Sequence, residues 1–416
     1  MKKPMIALFI ACLAHQAWAT FVPTTQFTAT VIDAKTQKPI DRFYTVMKPM
    51  RGGGASLWQQ HTLTFESKGR FSISLKKVWP GGAVVRVWAE GYKVSEVRVG
   101  PDSEPTGEVW LKPAQNLRAK VVDAAGKPVA KAEVVLASSF TRVSLANGHL
   151  QVSGIAKQVL QTPVQSADDG VFELPVVEDV GLVAVAHDHG FAMMKLSEVG
   201  ETITLKAWSH IEGRLLLGNK PGAGWTVSFG WGAPSDAGEH WVSQWSTLTC
   251  DTDGKFASGP MIPDASVQAG VEVKTKQRSA LVVGVATRVQ TKAGQTLKLT
   301  LGGEGRPVVG RLVDASGKPL LNRKLWIRPP APHFGFPEDE EVWSAQAAFF
   351  KAVQGVSYSH QVLTDAKGEF RISRLPQGEY EIDGARLDHK QRNLKIQPMD
   401  GGKSDEPLDL GDLKEP

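Results

Sequence analysis

The tryptophan side chains of this chain are the residues best suited to bind a ligand, because flat aromatic rings stack on sugar rings and other planar apolar groups. Trp231, Trp241 and Trp245 lie close together in the sequence, and Gln244 is placed to add hydrogen bonds to a polar ligand. Trp231 also continues an alternating apolar pattern through Phe229, which favours a buried core face. The pattern predicts a ligand-binding set of Trp231, Trp241, Gln244 and Trp245, with burial of Trp231 in the core as the alternative.

Metal-binding patterns are incomplete in this sequence. No histidine after the first nineteen residues begins the His-Glu-x-x-His or His-x-x-Glu pattern of zinc peptidases. His187 and His189 form a close pair, but they precede Gly190 at the end of an apolar run, which favours a polar turn. The segment Asp251–Gly254 resembles the start of a calcium loop, yet Ile262 occupies the place of the bidentate glutamate. We therefore expect no metal and no other cofactor.

Nucleophile patterns are equally weak. The sequence lacks the Gly-x-Ser-x-Gly elbow of serine hydrolases, and Ser74 in Ser74–Lys77 is an outward residue of an alternating strand. Cys250 would need a base such as His240, so a buried, unreactive thiol is the simpler interpretation. The sequence predicts no catalytic residues and a non-enzymatic protein. A hydrolase with its residues in the inserts 40–66 and 328–362 remains the alternative.

The beginning of the chain has the pattern of a bacterial secretory signal peptide. Lys2 and Lys3 precede the apolar run Met5–Ala14, and Ala17 and Ala19 form a small-x-small cleavage site. The apolar run is too short to span a bilayer, and no later segment is long and apolar enough to do so. We expect an exported protein that is periplasmic, cell-surface or extracellular, without a transmembrane segment.

Cysteine content and charge restrict the partners of the exported chain. Lipidation at Cys12 is the alternative route of processing, and after cleavage Cys250 is the only cysteine, which excludes an intrachain disulfide. Loss of Lys2 and Lys3 lowers the formal net charge from +5 to +3. The full chain has 48 basic and 43 acidic residues, and such a mixed composition gives no concentrated basic patch for nucleic acid.

Two turn motifs recur in the same order four times along the chain. Each repeat has an apolar run followed by a turn that ends in Lys-Pro, and later a turn written Gly-x-Phe. The spacings between successive Lys-Pro turns are 89, 93 and 98 residues, which matches one small domain per repeat. The first motif ends at Pro39, Pro128, Pro221 and Pro319, and the second at Phe71, Phe172, Phe256 and Phe370.

Apolar and polar residues alternate on either side of these turns. Leu117, Ala119 and Val121, for example, alternate with Arg118 and Lys120. A period of two places one set of side chains on a buried face and the other in water, so these segments are predicted to be half-buried antiparallel strands. Because 41 glycines and 25 prolines separate short strands, the pattern favours small β-sandwiches.

The repeats divide the chain into four tandem β-sandwich modules that follow a signal peptide of residues 1–19. One segment departs from the strand pattern, because acidic residues after Pro337 are followed by apolar residues at helical spacing. We predict an amphipathic helix over residues 338–354, inserted in the fourth module. The predicted modules comprise residues 20–113, 114–207, 208–303 and 304–416.

The repeat resembles a known family most clearly in its fourth copy. The segments Val309–Asp314, Gly317–Pro319, Thr364–Phe370 and Leu375–Tyr380 are similar to the turn motifs of carboxypeptidase regulatory-like domains. The resemblance implies small antiparallel β-sandwiches of the transthyretin-like, Ig-like type. In that family such modules are folding, spacing or ligand-contact units, and the name does not imply peptidase activity.

Two functions are compatible with these observations. The first is a non-enzymatic exported scaffold or interaction protein at the cell envelope, whose partner is an unidentified protein or polysaccharide. The alternative is a carbohydrate- or peptide-binding protein that uses the tryptophan-rich surface of the third module. The missing catalytic patterns favour the first, and the tryptophan cluster is the reason to keep the second.

Overall fold

The computed structural model has an all-β fold, which confirms the fold class predicted from the alternating pattern. The only α-helix in the part of the chain that it describes, α1, is His389–Arg392. Ala17, Ala19 and the predicted helix over 338–354 lie outside the described residues, so both predictions stand untested. The structure describes residues 25–49, 64–75, 82–100, 103–104, 106–138, 141–153, 163–234, 240–274, 279–328 and 360–415.

The first stretch of the chain contains two sheets. Its strands are β1 (Thr25–Asp33), β2 (Arg42–Pro49), β3 (Thr64–Ser67), β4 (Arg70–Leu75), β5 (Ala83–Trp88), β6 (Ser95–Val99) and β7 (Thr106–Leu111). The strand orders are β4-β1-β7 and β3-β2-β5-β6. β1 pairs antiparallel with β4 and parallel with β7. The inward side chains of the two sheets, among them Phe43, Phe71 and Leu111, form one apolar core.

The second stretch repeats this order and adds a hairpin. Its strands are β8 (Gln115–Val122), β9 (Glu133–Ala137), β10 (Arg142–Ala146), β11 (His149–Ser153), β12 (Val164–Gln165), β13 (Val171–Val176), β14 (Leu182–His187), β15 (Gly190–Lys195) and β16 (Thr202–Thr204). The strand orders are β13-β8-β16 and β12-β9-β14-β15. A 3₁₀ turn at Leu196–Glu198 precedes β16. The β10–β11 hairpin belongs to neither of these two sheets.

The third stretch forms two sheets, and the β10–β11 hairpin adds two strands to one of them. Its strands are β17 (His210–Leu217), β18 (Lys220–Pro221), β19 (Thr226–Pro234), β20 (His240–Thr249), β21 (Lys255–Ala257), β22 (Ser266–Lys274), β23 (Ser279–Gln290) and β24 (Thr296–Gly303). One sheet has the order β18-β17-β21, with β24 paired in parallel to β17. The other has six strands in the order β11-β10-β20-β19-β22-β23.

The fourth stretch again forms two sheets. Its strands are β25 (Arg306–Asp314), β26 (Lys324–Arg328), β27 (His360–Leu363), β28 (Glu369–Leu375), β29 (Gly378–Asp383), β30 (Asn393–Ile396) and β31 (Leu408–Glu415). The strand orders are β28-β25-β31 and β27-β26-β29-β30. A 3₁₀ turn at Asp400–Gly402 precedes β31. Leu312, Ile327 and Ile382 lie in the core between the sheets.

The repetition of the same strand order along the chain does not by itself define independent domains. The chain divides into two compact units, the first formed by the described residues up to Leu117 together with Glu173–Gly181, and the second by the remaining residues. Within the second unit, one apolar core extends from β9 and β14 to β19 and β22. The module boundaries proposed from the repeat therefore remain predictions.

The second and fourth Lys-Pro turns owe their shape to an aspartate side chain. Oδ1 of Asp123 accepts hydrogen bonds from the backbone N–H groups of Ala125 and Lys127, both at 2.9 Å. Oδ1 of Asp314 accepts the equivalent pair from Ser316 and Lys318, also at 2.9 Å. An aspartate that binds the backbone two and four residues ahead closes a tight turn. The motif is therefore a structural turn signal.

The Gly-x-Phe turns require glycine for steric reasons. Gly170 has φ +81°, and a Cβ atom at this position would lie 2.5 Å from the carbonyl oxygen of Val121. Gly368 has φ +75°, with the corresponding contact to Leu312 at 2.6 Å. The phenylalanine two residues later is buried in the core. Only glycine fits so closely against the first strand of its own sandwich.

Candidate functional site

The β19–β20 hairpin positions the residues that the sequence proposed as a ligand-binding set. In its register, Gly230 lies opposite Trp245, and Trp231 lies opposite Gln244. Residues directly opposite each other share a face of a sheet, and successive residues alternate between faces. Trp245 therefore lies on one face of the sheet, and Trp231 and Gln244 lie on the other. The structure does not bring the predicted residues together on one surface.

Gln244 is part of the core face and holds a loop in place. Its side chain is buried, Nε2 donates a hydrogen bond to the carbonyl oxygen of Pro260 at 2.7 Å, and Oε1 accepts one from the N–H of Ile262 at 2.9 Å. Trp231 is half-buried and packs against the same core. The position of Trp231 thus supports the alternative interpretation, in which it is a core residue. The polar groups of Gln244 are hydrogen-bonded to the backbone of its own chain.

Trp245 lies on the outer face, and its side chain is 53% exposed. A Cβ atom on Gly230 would lie 2.3 Å from Cζ3 and 2.6 Å from Cε3 of the indole. The ring thus lies against the backbone of β19, in space that any other residue at position 230 would occupy. Trp241 belongs to β20 as well, but its side chain lies outside the described residues.

Short polar side chains surround Trp245 on this face. Ser243 and Thr247 flank it on β20, and Ser228 lies opposite Thr247 on β19. Both Ser228 Oγ and Thr247 Oγ1 donate to Oε2 of Glu272, the latter at 3.1 Å, and this carboxylate is buried. The sequence motifs did not identify these hydroxyl groups. The signal was available, because Ser228 and Gly230 occupy the alternate positions between the apolar residues of β19.

The face extends beyond the hairpin in both directions. Gln268 of β22 lies opposite Gly230, and Arg288 of β23 lies opposite Gln268. On the other side, Ser144 of β10 lies beside Ser243 of β20. Among the described side chains, the outer face is therefore mostly polar, and Trp245 is its one large aromatic ring.

The histidine pair forms a compact turn. The rings of His187 and His189 meet edge to face with centroids 4.8 Å apart, and the N–H of His189 donates to Nδ1 of His187 at 3.2 Å. Burial is the main cause that lowers the pKa of His187. The carbonyl oxygen of His187 accepts a hydrogen bond from Nε1 of Trp208 at 2.8 Å. Among the described residues, no group of three or more His, Cys, Asp and Glu side chains is placed to hold a metal ion.

The surroundings of Asp251 and of the Cys250 thiol indicate structural roles. Oδ1 of Asp251 accepts hydrogen bonds from the N–H groups of Asp253 at 2.9 Å and Lys255 at 2.7 Å, which repeats the turn geometry of Asp123. Cys250 is buried, and burial raises the pKa of its thiol to about 11. A thiol with that pKa remains protonated at neutral pH and is a poor nucleophile.

A cleft of about 710 Å³ lies beside β17, β21 and β24 and is closed on one side by Pro398–Asp400. Its walls carry both charge signs, and several of these groups are bound within the chain. Lys298 forms an ion pair with Glu212, and Nε of Arg214 donates to the carbonyl oxygen of Asp253 at 2.8 Å. These contacts leave the cleft with no convergent set of polar groups for a ligand.

Comparison with known proteins gives only remote similarity. No helix within the described ranges is long and apolar enough to cross a membrane. No protein-family model matches the chain, and no curated protein matches it. A streptococcal ancillary pilin aligns with 66% of this chain and 98% of its own at 10% identity, with a TM-score of 0.22. The Bacillus anthracis TIE protein aligns with 98% of this chain and 77% of its own at 12% identity, with a TM-score of 0.19.

The minor pilin GBS52 of Streptococcus agalactiae aligns with 50% of this chain and 96% of its own at 11% identity, with a TM-score of 0.22. At these identities and TM-scores, the similarities establish neither a family nor a function. The functional argument therefore depends on the geometry of the chain itself.

Proposed function

We propose that this protein is a non-enzymatic, exported scaffold of β-sandwich modules that acts at the cell envelope or outside the cell. The observation that supports it best is the position of the β10–β11 hairpin. This hairpin arises between β9 and β12, yet it extends the sheet of the following sandwich. A scaffold must hold its modules in a constant arrangement, and shared strands resist bending in a way that an exposed linker does not.

The contact between the hairpin and its host sheet is a regular strand pairing. β10 pairs in parallel with β20, with Val143 opposite Val242 and Leu145 opposite Gln244. Val143 and Leu145 are almost completely buried. Their side chains belong to the apolar core that also contains Phe229. Separation of the two sandwiches would expose this apolar surface, which is unfavourable.

The segment between β16 and β17 is bound along its length. The N–H of Leu205 donates to the carbonyl oxygen of Val122 at 2.8 Å, and Lys206 and Phe191 exchange two backbone hydrogen bonds. The buried ring of Trp208 stacks on that of Phe191 with centroids 5.7 Å apart. Oγ of Ser209 donates to the carbonyl oxygen of Lys292 at 2.6 Å. A linker with its backbone paired and its side chains buried does not act as a hinge.

The segment between β24 and β25 is equally confined. Only Glu304 and Gly305 separate the two strands, and the N–H of Gly305 donates to the carbonyl oxygen of Gly402 at 3.0 Å. A Cβ atom on Gly303 would lie 2.2 Å from that same oxygen. Lys403 pairs with Glu304 at 3.3 Å. The backbones are thus in direct contact, which supports a fixed arrangement of the third and fourth sandwiches.

Distance measurements between spin labels test the scaffold proposal. Lys127 and Lys220 are exposed residues of the second and third stretches, and both belong to the second compact unit. Double electron–electron resonance on Lys127→Cys/Lys220→Cys, in a Cys250→Ala background, should give one narrow distance distribution. The pair Lys220→Cys/Gln290→Cys lies within the third stretch and provides the width expected of a rigid body.

A distribution for the first pair that is much broader than that of the control pair would contradict the proposal. The distance distribution of the same pair should broaden in a Leu145→Arg background, because a charge in the shared core disrupts the hairpin contact. An unchanged width in that background would show that the hairpin does not hold the modules.

A further inference from the structure

We propose that the outer face around Trp245 binds a neutral polysaccharide, with one sugar ring stacked on the indole. This site is independent of the scaffold function, since it requires only the β19–β20–β22 face. A pyranose ring presents a flat face of C–H groups and a rim of hydroxyl groups. It therefore needs a flat aromatic surface with hydrogen-bonding groups beside it.

The aromatic surface is present and held flat. Trp245 rests against the backbone of β19 because the residue below it is Gly230, and half of its surface remains open to solvent. The residues on β20 that flank it on the same face, Ser243 and Thr247, have short side chains. The exposed half of the indole is therefore the surface on which a planar ligand would stack.

The hydrogen-bonding groups beside the ring are pre-oriented. Ser228 Oγ and Thr247 Oγ1 both donate their protons to the buried carboxylate of Glu272. A hydroxyl that donates inward retains lone pairs that can accept a hydrogen bond. Ser228 is completely buried and only helps to hold the Glu272 carboxylate, whereas Thr247 is exposed. Sugar hydroxyl groups are donors as well as acceptors, so Thr247 presents the complementary half of the bond. Gln268, opposite Gly230, adds an amide that both donates and accepts.

The electrostatics of the face favour an uncharged polymer. Glu272 is engaged with two hydroxyl groups, and Arg288 lies three strands from Trp245, which is about 14 Å at the usual strand spacing. Arg142 of the adjacent strand β10 is on the same face, but the β10–β20 register places it about four residues along the strands from Trp245. An acidic polymer would gain little there. A lipid surface would require a larger apolar area than one ring, and an extended peptide would require a free strand edge, whereas β20, β19 and β22 are all internal strands of the sheet.

Trp326 provides a matched control within the same chain. It is also exposed and also lies against a glycine, since a Cβ atom on Gly384 would lie 2.8 Å from its Cε3. Its surroundings differ, because Lys324 Nζ lies 5.9 Å from its ring centroid and Asp383 lies opposite it. Charged groups thus lie beside Trp326, whereas hydroxyl groups lie beside Trp245.

The test is binding of defined oligosaccharides to the full exported chain. Isothermal titration with cellohexaose, mannohexaose and chitohexaose, and with an acidic oligogalacturonate, should show binding of at least one neutral sugar and no preference for the acidic one. Trp245→Ala should weaken that binding at least tenfold, and Thr247→Ala at least twofold. Trp326→Ala should leave it unchanged.

Several results would overturn the proposal. They are failure of all three neutral sugars to bind, binding of the acidic sugar alone, and equal affinity of the Trp245→Ala variant. Because Trp245 also covers Gly230, this variant is checked for folding by circular dichroism, and Gln268→Ala, which leaves the indole in place, should also weaken binding. Loss of stability in Trp245→Ala with unchanged affinity would show that the indole only shields the backbone. None of these results depends on the distance distributions that test the scaffold.

Discussion

Leu145 of the β10–β11 hairpin lies opposite Gln244 of β20 in a parallel register, although the hairpin arises from the preceding sandwich. Both side chains are buried, the first in the apolar core and the second against the backbone of Pro260 and Ile262. This pair joins the packing of one sandwich to the loop geometry of the next. Mutations at either residue should therefore affect more than one sandwich.

Leu145→Ala should lower the free energy of unfolding by about 2–5 kcal/mol, the usual cost of a cavity at a fully buried leucine. Urea unfolding monitored by circular dichroism measures the loss. Ser144→Ala is the matched control, because Ser144 lies on the outer face of the same strand and should change stability by less than about 0.5 kcal/mol. Equal effects of the two substitutions would contradict the shared core.

Gln244→Leu should destabilise the protein by about 1–3 kcal/mol for each backbone group left unpaired, because the carbonyl of Pro260 and the buried N–H of Ile262 both lose their partner. Hydrogen exchange should accelerate at the Ile262 amide more than at the amides of β19. Ser243→Ala, one residue away on the other face, is the control. Protection of Ile262 equal to that of the wild type would show that Gln244 does not hold the loop.

Gly170→Ala should be more destabilising than Gly126→Ala. The two glycines have nearly equal φ angles, +81° and +79°, so an alanine bears the same backbone strain of about 1–2 kcal/mol at both. Only Gly170 meets a neighbour, the carbonyl oxygen of Val121 at 2.5 Å from a Cβ atom, whereas Gly126 has open space. Thermal unfolding of the two variants gives the difference directly, and equal melting temperatures would refute the steric explanation of the Gly-x-Phe turn.

Stability should fall at alkaline pH through Cys250. Its folded pKa of about 11 is above its ordinary value of 9.0, so the folded chain holds the thiol proton more tightly than the unfolded chain does. The free energy of unfolding is unaffected by this group below about pH 9 and decreases between about pH 9 and 11, with a limiting slope of about 1.4 kcal/mol per pH unit. Lysine and tyrosine titrate in the same range, so the wild type is compared with Cys250→Ala. Parallel stability curves for the two proteins would contradict the prediction.

The leader should be removed after Ala19 when the full chain is produced in a bacterium. N-terminal sequencing of the exported protein should then begin at Thr20. Ala19→Arg, which replaces the small residue at the cleavage site, should retain the leader. A lipid-modified N-terminus at Cys12 would instead establish the alternative route, and a cytoplasmic, unprocessed chain would contradict export.

Much of the fold was accessible from local patterns. The alternation through Leu117, Ala119 and Val121 predicted a half-buried strand, and β8 covers these positions. The aspartates of the Lys-Pro turns and the glycines of the Gly-x-Phe turns act within a few residues or against the adjacent strand. Such residues can be recognised in a sequence because their hydrogen bonds and steric contacts involve close neighbours in the chain or the adjacent strand.

The candidate site was only partly accessible. The tryptophan cluster indicated the β19–β20 hairpin as a candidate site, but it grouped Gln244 and Trp231 with Trp245, although the strand register places them on opposite faces. The importance of Gly230, Ser228 and Glu272 depends on pairing between β19, β20 and β22. Cross-strand neighbours are set by register, and register is a property of the assembled sheet.

The sequence by itself determined that this chain forms short strands and where its tight turns occur. The tertiary structure alone decided that the β10–β11 hairpin completes the sheet of another sandwich and that Trp245 lies flat over Gly230. The physical reason is that periodicity specifies a buried face but not the surface that covers it. That partner is selected by packing between segments that are distant in the chain.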